Sequence, residues 1–256
     1  MSTRNIVLFG QSGAGKSSVI NLMAGKEIAK TSSGANRCTM HWEEHFISFD
    51  GHDYKMFDTI GLEQPQFNIE GYIDAIVNAR NLIMKLDREG GIDLLLFCVQ
   101  AGRITATVQY NYRLFCEWLC EEKVPIVLVL TGLEREKSME SWWGNNQGAF
   151  HKYKISVVGH ACITSAKNLD GRSQQLYEES RPLVRALVRE HTHDRSEGAW
   201  KGGHGWFRRF VLKLRGLLPG KYTLKKKDIT TTLTKRCGMP QEAAALLAKQ
   251  IRQELS

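Results

Sequence analysis

Gly10, Gln11, Ser12, Gly13, Ala14, Gly15, Lys16, Ser17 and Ser18 bring three glycines, a lysine and three serine hydroxyls into one short stretch. Their spacing, G-x-x-x-x-G-K-S, is that of a loop that wraps a polyphosphate. Glycines let backbone N–H groups close around the oxygens, and a helix starting at the lysine turns its N-terminal dipole toward the same charge. On this reading Lys16 reaches the β- and γ-phosphates and the Ser17 hydroxyl ligates Mg²⁺. The competing reading is a chance glycine-rich turn. The apolar run Ile6–Phe9 before the loop and the helical pattern after it argue against that.

A carboxylate for the same metal is expected at Asp58, in Asp58-Thr59-Ile60-Gly61, after a strand. Asp58 would hold Mg²⁺ through water and the Gly61 N–H would sense a γ-phosphate. Thr39, between the first helix and the second strand, is the expected threonine completing the metal shell in the triphosphate state; Thr31, Ser32 and Ser33 compete with it. Leu62 follows Gly61 where Ras-like enzymes carry a glutamine that orients water, and Glu63 is a weak substitute.

Two segments read as base-side loops. Thr131-Gly132-Leu133-Glu134 follows a buried strand, and Glu134 could accept from guanine N1 and N2, although Gly132 stands where a lysine usually flanks the base. The alternative, Thr131 and Gly132 as a strand end and Glu134 as a solvated cap, has equal standing. Ser165, Ala166 and Lys167, in T-S-A-K, sit where backbone N–H groups would contact guanine O6, which favours guanine. Arg103 either stabilises charge at the nucleotide, in one chain or across a dimer, or is a solvated residue at a helix start. Thr105 is a suitable N-cap.

These residues need a scaffold of alternating strands and helices. Strands are expected at 6–9, 42–49, 53–58, 92–99, 125–130 and 155–163, and helices near 16–25, 69–89, 105–122, 137–150 and 173–190. Asp50-Gly51 makes a hairpin turn between the second and third strands. The order β-α-β-β-α-β-α-β-α-β-α is that of an α/β fold: a three-layer P-loop NTPase of the Ras-like G-domain kind, mostly parallel with one antiparallel strand. A C-terminal helical extension follows, so the expected division is 1–195 and 196–256.

Charge separates the same two parts. Residues 1–180 carry 18 Lys and Arg against 21 Asp and Glu, whereas residues 181–256 carry 17 against 6. Such a tail looks for an anionic surface. Its segment 206–218, W-F-R-R-F-V-L-K-L-R-G-L-L, puts apolar residues on one side of a helix and Arg208, Arg209, Lys213 and Arg215 on the others. It suits an anionic membrane, with 204–218 as the contact, or an acidic partner groove, or it docks its apolar side on the preceding domain. Lys225–Lys227 read as a solvated cluster, and an alanine-rich helix starts after Pro240. No run of eighteen apolar residues occurs, and the start M-S-T-R-N-I-V-L-F-G reads as a first strand, not a signal peptide. The cysteines, Cys38, Cys98, Cys116, Cys120, Cys162 and Cys237, show no C-x-x-C pairing and read as reduced. Cys116 and Cys120 share a helix face, where core packing is the better reading than metal.

The run 10–25, Cys38-Thr39, D-T-I-G-L at 58–62 and G-R-I-T at 102–105 together resemble the AIG1/GIMAP-type immune-associated GTPases, and the related chloroplast outer-envelope import receptors and septins. Segments 131–134 and 159–167 look closer to fungal G-domain proteins of that superfamily. The resemblance covers residues 4 to about 190. It implies a septin-like GTPase that binds GTP or GDP with Mg²⁺, in a group where many members dimerise through the nucleotide face and can assemble on membranes. Relatives with an apolar residue after the D-x-x-G glycine hydrolyse GTP slowly or need a dimer partner. The expected function is therefore a cytoplasmic guanine-nucleotide switch or assembly module with slow Mg²⁺-dependent hydrolysis. A hydrolytically inactive scaffold docking through its basic helix is the alternative, and an ATPase or kinase a weaker third. No specific nucleic acid is expected as a partner.

Overall fold

The computed structural model describes residues 3–30, 42–59, 69–166, 171–192, 198–215, 226–235 and 241–255. Thr39, Gly61, Leu62, Glu63 and Lys167 lie outside the described residues.

Among the described residues, six strands form one sheet: β1 (Arg4–Phe9), β2 (Trp42–Phe49), β3 (His52–Thr59), β4 (Leu94–Gln100), β5 (Ile126–Thr131) and β6 (Gly159–Cys162). Their spatial order is β2-β3-β1-β4-β5-β6. Only β2 runs antiparallel, paired with β3 through the turn at Asp50 and Gly51. The inner strands are continuous apolar runs because both faces are covered. On one face lie α1 (Lys16–Ala24) and α5 (Gly171–Thr192), meeting Ile6, Leu8, Leu94, Leu96, Val127 and Val129. The other face carries α2 (Ile69–Arg88), α3 (Ala106–Tyr112) and α4 (Met139–Lys152) against Val7, Phe9, Phe97 and Leu128. Phe9 stacks on both Phe97 and Phe115 at 4.6 Å, tying β1 to β4 and to the helix layer.

Two elements depart from the expected pattern. The helix expected over 105–122 is α-helical only to Tyr112 and continues as a π-helical stretch over Arg113–Leu119. The strand expected over 155–163 pairs only from Gly159 to Cys162. One hydroxyl contributes to the second. Tyr112 Oη accepts from the Ser156 N–H and donates to the Ser156 carbonyl, each at 3.1 Å, so that residue's backbone groups are taken up by a helix and not by β5.

Three C-terminal helices, α6 (Trp206–Arg215), α7 (Lys226–Lys235) and α8 (Gln241–Leu255), lie over the α2 and π-helical layer. Before them, Ile92 and Trp200 exchange backbone hydrogen bonds at 2.8 and 2.9 Å. Trp206, Phe210 and Val211 are buried in the same core as α2, as are Ile229 and Leu233 of α7 and Leu247 and Ile251 of α8. Burying each such side chain stabilises by about 1.5–3 kcal/mol. The apolar side of the basic helix thus faces the domain. Lys226 and Lys227, read from sequence as part of a solvated cluster, open α7; the signal for that helix is the four-residue spacing of Ile229 and Leu233. No described helix is long and apolar enough to cross a membrane.

Candidate nucleotide-binding site

Between β1 and α1 the chain turns through Gly10, Gly13 and Gly15, all at positive φ. At Gly10, with φ +148°, a Cβ would lie 2.1 Å from the Cys98 carbonyl oxygen, so only glycine lets β1 leave the sheet beside β4. Gly15 is the left-handed residue that starts α1. Ala14 N–H donates to the Gln11 carbonyl at 3.1 Å, closing the loop into a tight arc.

Lys16 lies along this arc, its Nζ donating to the carbonyls of Gly10 (3.1 Å) and Gln11 (3.2 Å). Ser17, one residue into α1, donates its hydroxyl to Asp58 Oδ2 at 2.6 Å. Asp58 stands near the end of β3, paired in register with Leu8 of β1, so the parallel pairing delivers it to the loop. Burial pushes the Asp58 carboxyl above the ordinary aspartate range, and the Ser17 hydroxyl and Lys16 charge pull it back only in part. A half-buried carboxylate touching a hydroxyl, with an ammonium close by, is an oxygen-only donor set of the kind hard cations take. Thr59, next in the chain, anchors this strand end by donating to the Leu8 carbonyl at 2.6 Å.

The remaining expected residues fall around the same arc with one reassignment of contact. Thr131 is buried at the end of β5 and donates to the Ala14 carbonyl at 3.0 Å, so it braces the phosphate loop. Ser165 comes up to the same loop, its Oγ 3.2 Å from where a Gly15 Cβ would stand. Glu134 accepts from the Thr164 hydroxyl at 3.1 Å, joining the two segments expected to frame a base. That hydroxyl also takes the Ala166 N–H at 3.4 Å, a long contact that turns the segment. Arg103 is exposed on the loop after β4. That loop is linked to the arc through Thr105, whose hydroxyl donates to Gln11 Oε1 at 3.3 Å while capping α3 at Val108.

Residues 5–132 match the family model described as 50S ribosome-binding GTPase. The chain belongs to this family. With it comes membership of the GTP-binding G domains of the P-loop GTPase superfamily. Immune-associated nucleotide-binding protein 7 of Arabidopsis thaliana is 30% identical over 158 residues, 58% of this chain and 48% of its own. The chain therefore spans about half the length of that relative. Among solved structures, a dimerization-deficient Toc33 from Arabidopsis thaliana aligns with a TM-score of 0.53 at 16% identity, over 78% of this chain and 88% of its own. A second structure, from work on the chloroplast translocon components atToc33 and psToc159, aligns at 0.54 and 15% over 78% and 87%.

Within this G domain, sequence reasoning passed over the residues that hold the site's neighbours. Asn21, buried in α1, accepts from the N–H groups of Ile28 and Ala29 and donates to the Ala29 carbonyl, all at 2.8 Å. Its signal was a polar amide in the apolar run V-I-N-L-M. Arg181 and Arg185 of α5 donate to the Leu22 and Met23 carbonyls at 3.0 and 2.8 Å, closing the C-terminal end of α1 with positive charge. Thr164 N–H donates to Ser180 Oγ at 3.1 Å, fixing the 164–166 segment on α5. Nothing in the local sequence marks these pairings.

Proposed function

We propose that the protein is a guanine-nucleotide switch or assembly module that hydrolyses GTP slowly with Mg²⁺. The observation that carries this is the 2.6 Å contact between Ser17 and Asp58, which unites the phosphate loop with a strand-end carboxylate 41 residues away. Mg²⁺, held by Ser17 and through water by Asp58, would neutralise charge building on the phosphates during transfer. The loop N–H groups from Gly10 to Ser18 and the Lys16 ammonium hold the phosphates in place. Thr39 and Gly61 respond to the γ-phosphate. Glu134, Ser165, Ala166 and Lys167 would contact the base, a reading supported by the Glu134–Thr164 bond between the two segments. Leu62 supplies no group to orient water, which is why turnover is slow.

Arg103 is exposed beside the loop and can reach a second copy, giving a nucleotide-dependent homodimer. Dimerization is important for the GTPase activity of the chloroplast translocon components noted above, which supports this reading. Single-turnover hydrolysis by the intact chain and by Lys16→Ala tests the enzyme. Absence of Lys16-dependent turnover at high protein concentration refutes it.

The second reading is a hydrolytically inactive scaffold in the cytoplasm that contacts an anionic membrane through its basic helix. It is supported by the exposed Arg208 and Lys213 on α6 and by the basic excess of residues 181–256. With Trp206, Phe210 and Val211 buried, such contact is electrostatic, without insertion. Vesicles containing anionic lipid, sedimented with the intact chain and with the Arg208→Glu, Lys213→Glu variant, test it; equal binding removes α6 as the contact.

A further inference from the structure

At the β6 edge of the sheet, away from Ser17 and Asp58, three metal-ligating side chains converge. His160 and Cys162 alternate on β6, so they share a face of the sheet. Glu140, in the first turn of α4, reaches over to them. The ligating atoms of the three lie within 4.8 Å of one another, and His160 Nε2 is 2.6 Å from Glu140 Oε1. Trp143 stacks on the His160 ring at 4.5 Å and 25°, which fixes the direction of its nitrogens.

We propose that Glu140, His160 and Cys162 bind a divalent cation of the zinc class. The ligand types select it: a thiolate and an imidazole favour a borderline-soft ion over magnesium or calcium, which prefer oxygen. Tetrahedral zinc, with bonds of about 2.0–2.3 Å, sets its ligands roughly 3.3–3.7 Å apart. The His160–Glu140 pair must therefore open by roughly 0.7 Å. Glu140 has the freedom to do so, its side chain being 66% exposed.

Charge also balances, since one thiolate and one carboxylate match a dication. On binding, the sulfur–metal bond forms as the thiol proton leaves to solvent. Three protein ligands leave a fourth position for water or a further ligand. The bound ion would also link α4 to β6, elements adjoining the segments joined by the Glu134–Thr164 bond.

Cobalt(II) is the test probe, added to the full chain after reduction and removal of metal with a chelator. The expected result is a thiolate-to-cobalt charge-transfer band with strong tetrahedral visible bands, saturating near one equivalent and bleached by zinc. Cobalt at Ser17 and Asp58 meets only oxygen and gives no such band, so the readout is independent of nucleotide binding. Cys162→Ser is expected to abolish the band. Glu140→Gln, an exposed substitution that keeps the fold, is expected to weaken cobalt binding by at least the about 10- to 100-fold typical of an outer-shell partner. Absence of the band, its persistence in Cys162→Ser, or unchanged affinity in Glu140→Gln overturns the three-ligand site, leaving a hydrogen-bonded His–Glu pair beside a buried thiol.

Discussion

The Thr131 hydroxyl donates to the Ala14 carbonyl over 3.0 Å, joining the end of β5 to the phosphate loop 117 residues earlier in the chain. Both partners are buried, so the carbonyl has no water to turn to if the hydroxyl is removed. Thr131→Val keeps the shape and deletes the donor. Its expected cost is about 1–3 kcal/mol in urea unfolding, with weaker nucleotide binding as the loop loosens. Unchanged stability and affinity would show that the contact does not brace the loop.

Gly10→Ala is expected to be more damaging. The added methyl meets a backbone carbonyl at 2.1 Å, and φ +148° is itself strained for alanine. A thermal melt should show a large loss of Tm together with loss of nucleotide binding. Ala at Gly13, where a Cβ meets nothing within 4 Å, carries only the cost of its φ of +77° and is the milder control. Equal effects at both positions would contradict the close-approach argument.

The strand-loop-helix at the site and the hairpin from Trp42 to Thr59 were legible because each is a local signal. Alternating or continuous apolar residues are bounded there by Gly10 or by Asp50-Gly51. Thr131 was legible as a strand end but not in its contact, since Ala14 comes near it only through β1, β4 and β5 lying side by side. The π-helical stretch after Tyr112 packs on Phe9 and α6, contacts that residue order alone does not register. Helix α7 was missed because the lysines that open it read as a solvated charge cluster.

Acid is expected to weaken the β2–β3 edge of the sheet. Lys55 bridges Glu44 at 2.8 Å and Glu89 at 2.6 Å, and Lys85 bridges the same two at 3.0 and 2.9 Å, closing a ring of alternating charge. Burial raises both glutamates, but the hydrogen bonds from Lys55 and Lys85 outweigh it and hold them below the ordinary range. Groups depressed by folding stabilise fully above their unfolded value and lose that contribution as pH falls through the folded one. Melts between about pH 7 and about pH 3 should therefore show a decline below about pH 4.3 that is shallower in Lys55→Met. Parallel declines in the two proteins would exclude the ring as the cause.

Trp206 fastens the C-terminal helices, donating its indole N–H to the Leu119 carbonyl at 2.7 Å while its ring stacks on Phe210 at 5.5 Å. Trp206→Ala is expected to cost about 3–5 kcal/mol in urea unfolding, as for a large buried aromatic. Leu246→Ala, at a side chain 70% exposed on α8, should stay within about 0.5 kcal/mol. A small effect at Trp206 would mean that α6 does not belong to the core.

The central claim is a guanine-nucleotide site built on Lys16, Ser17 and Asp58. Its most direct measurement is equilibrium binding of fluorescent GDP to the intact chain, with and without Mg²⁺, displaced by unlabelled GTP or ATP. Binding is expected to be strengthened by Mg²⁺, displaced by GTP far better than by ATP, and lost in Lys16→Ala. Equal displacement by ATP, or full binding retained by Lys16→Ala, would contradict that claim.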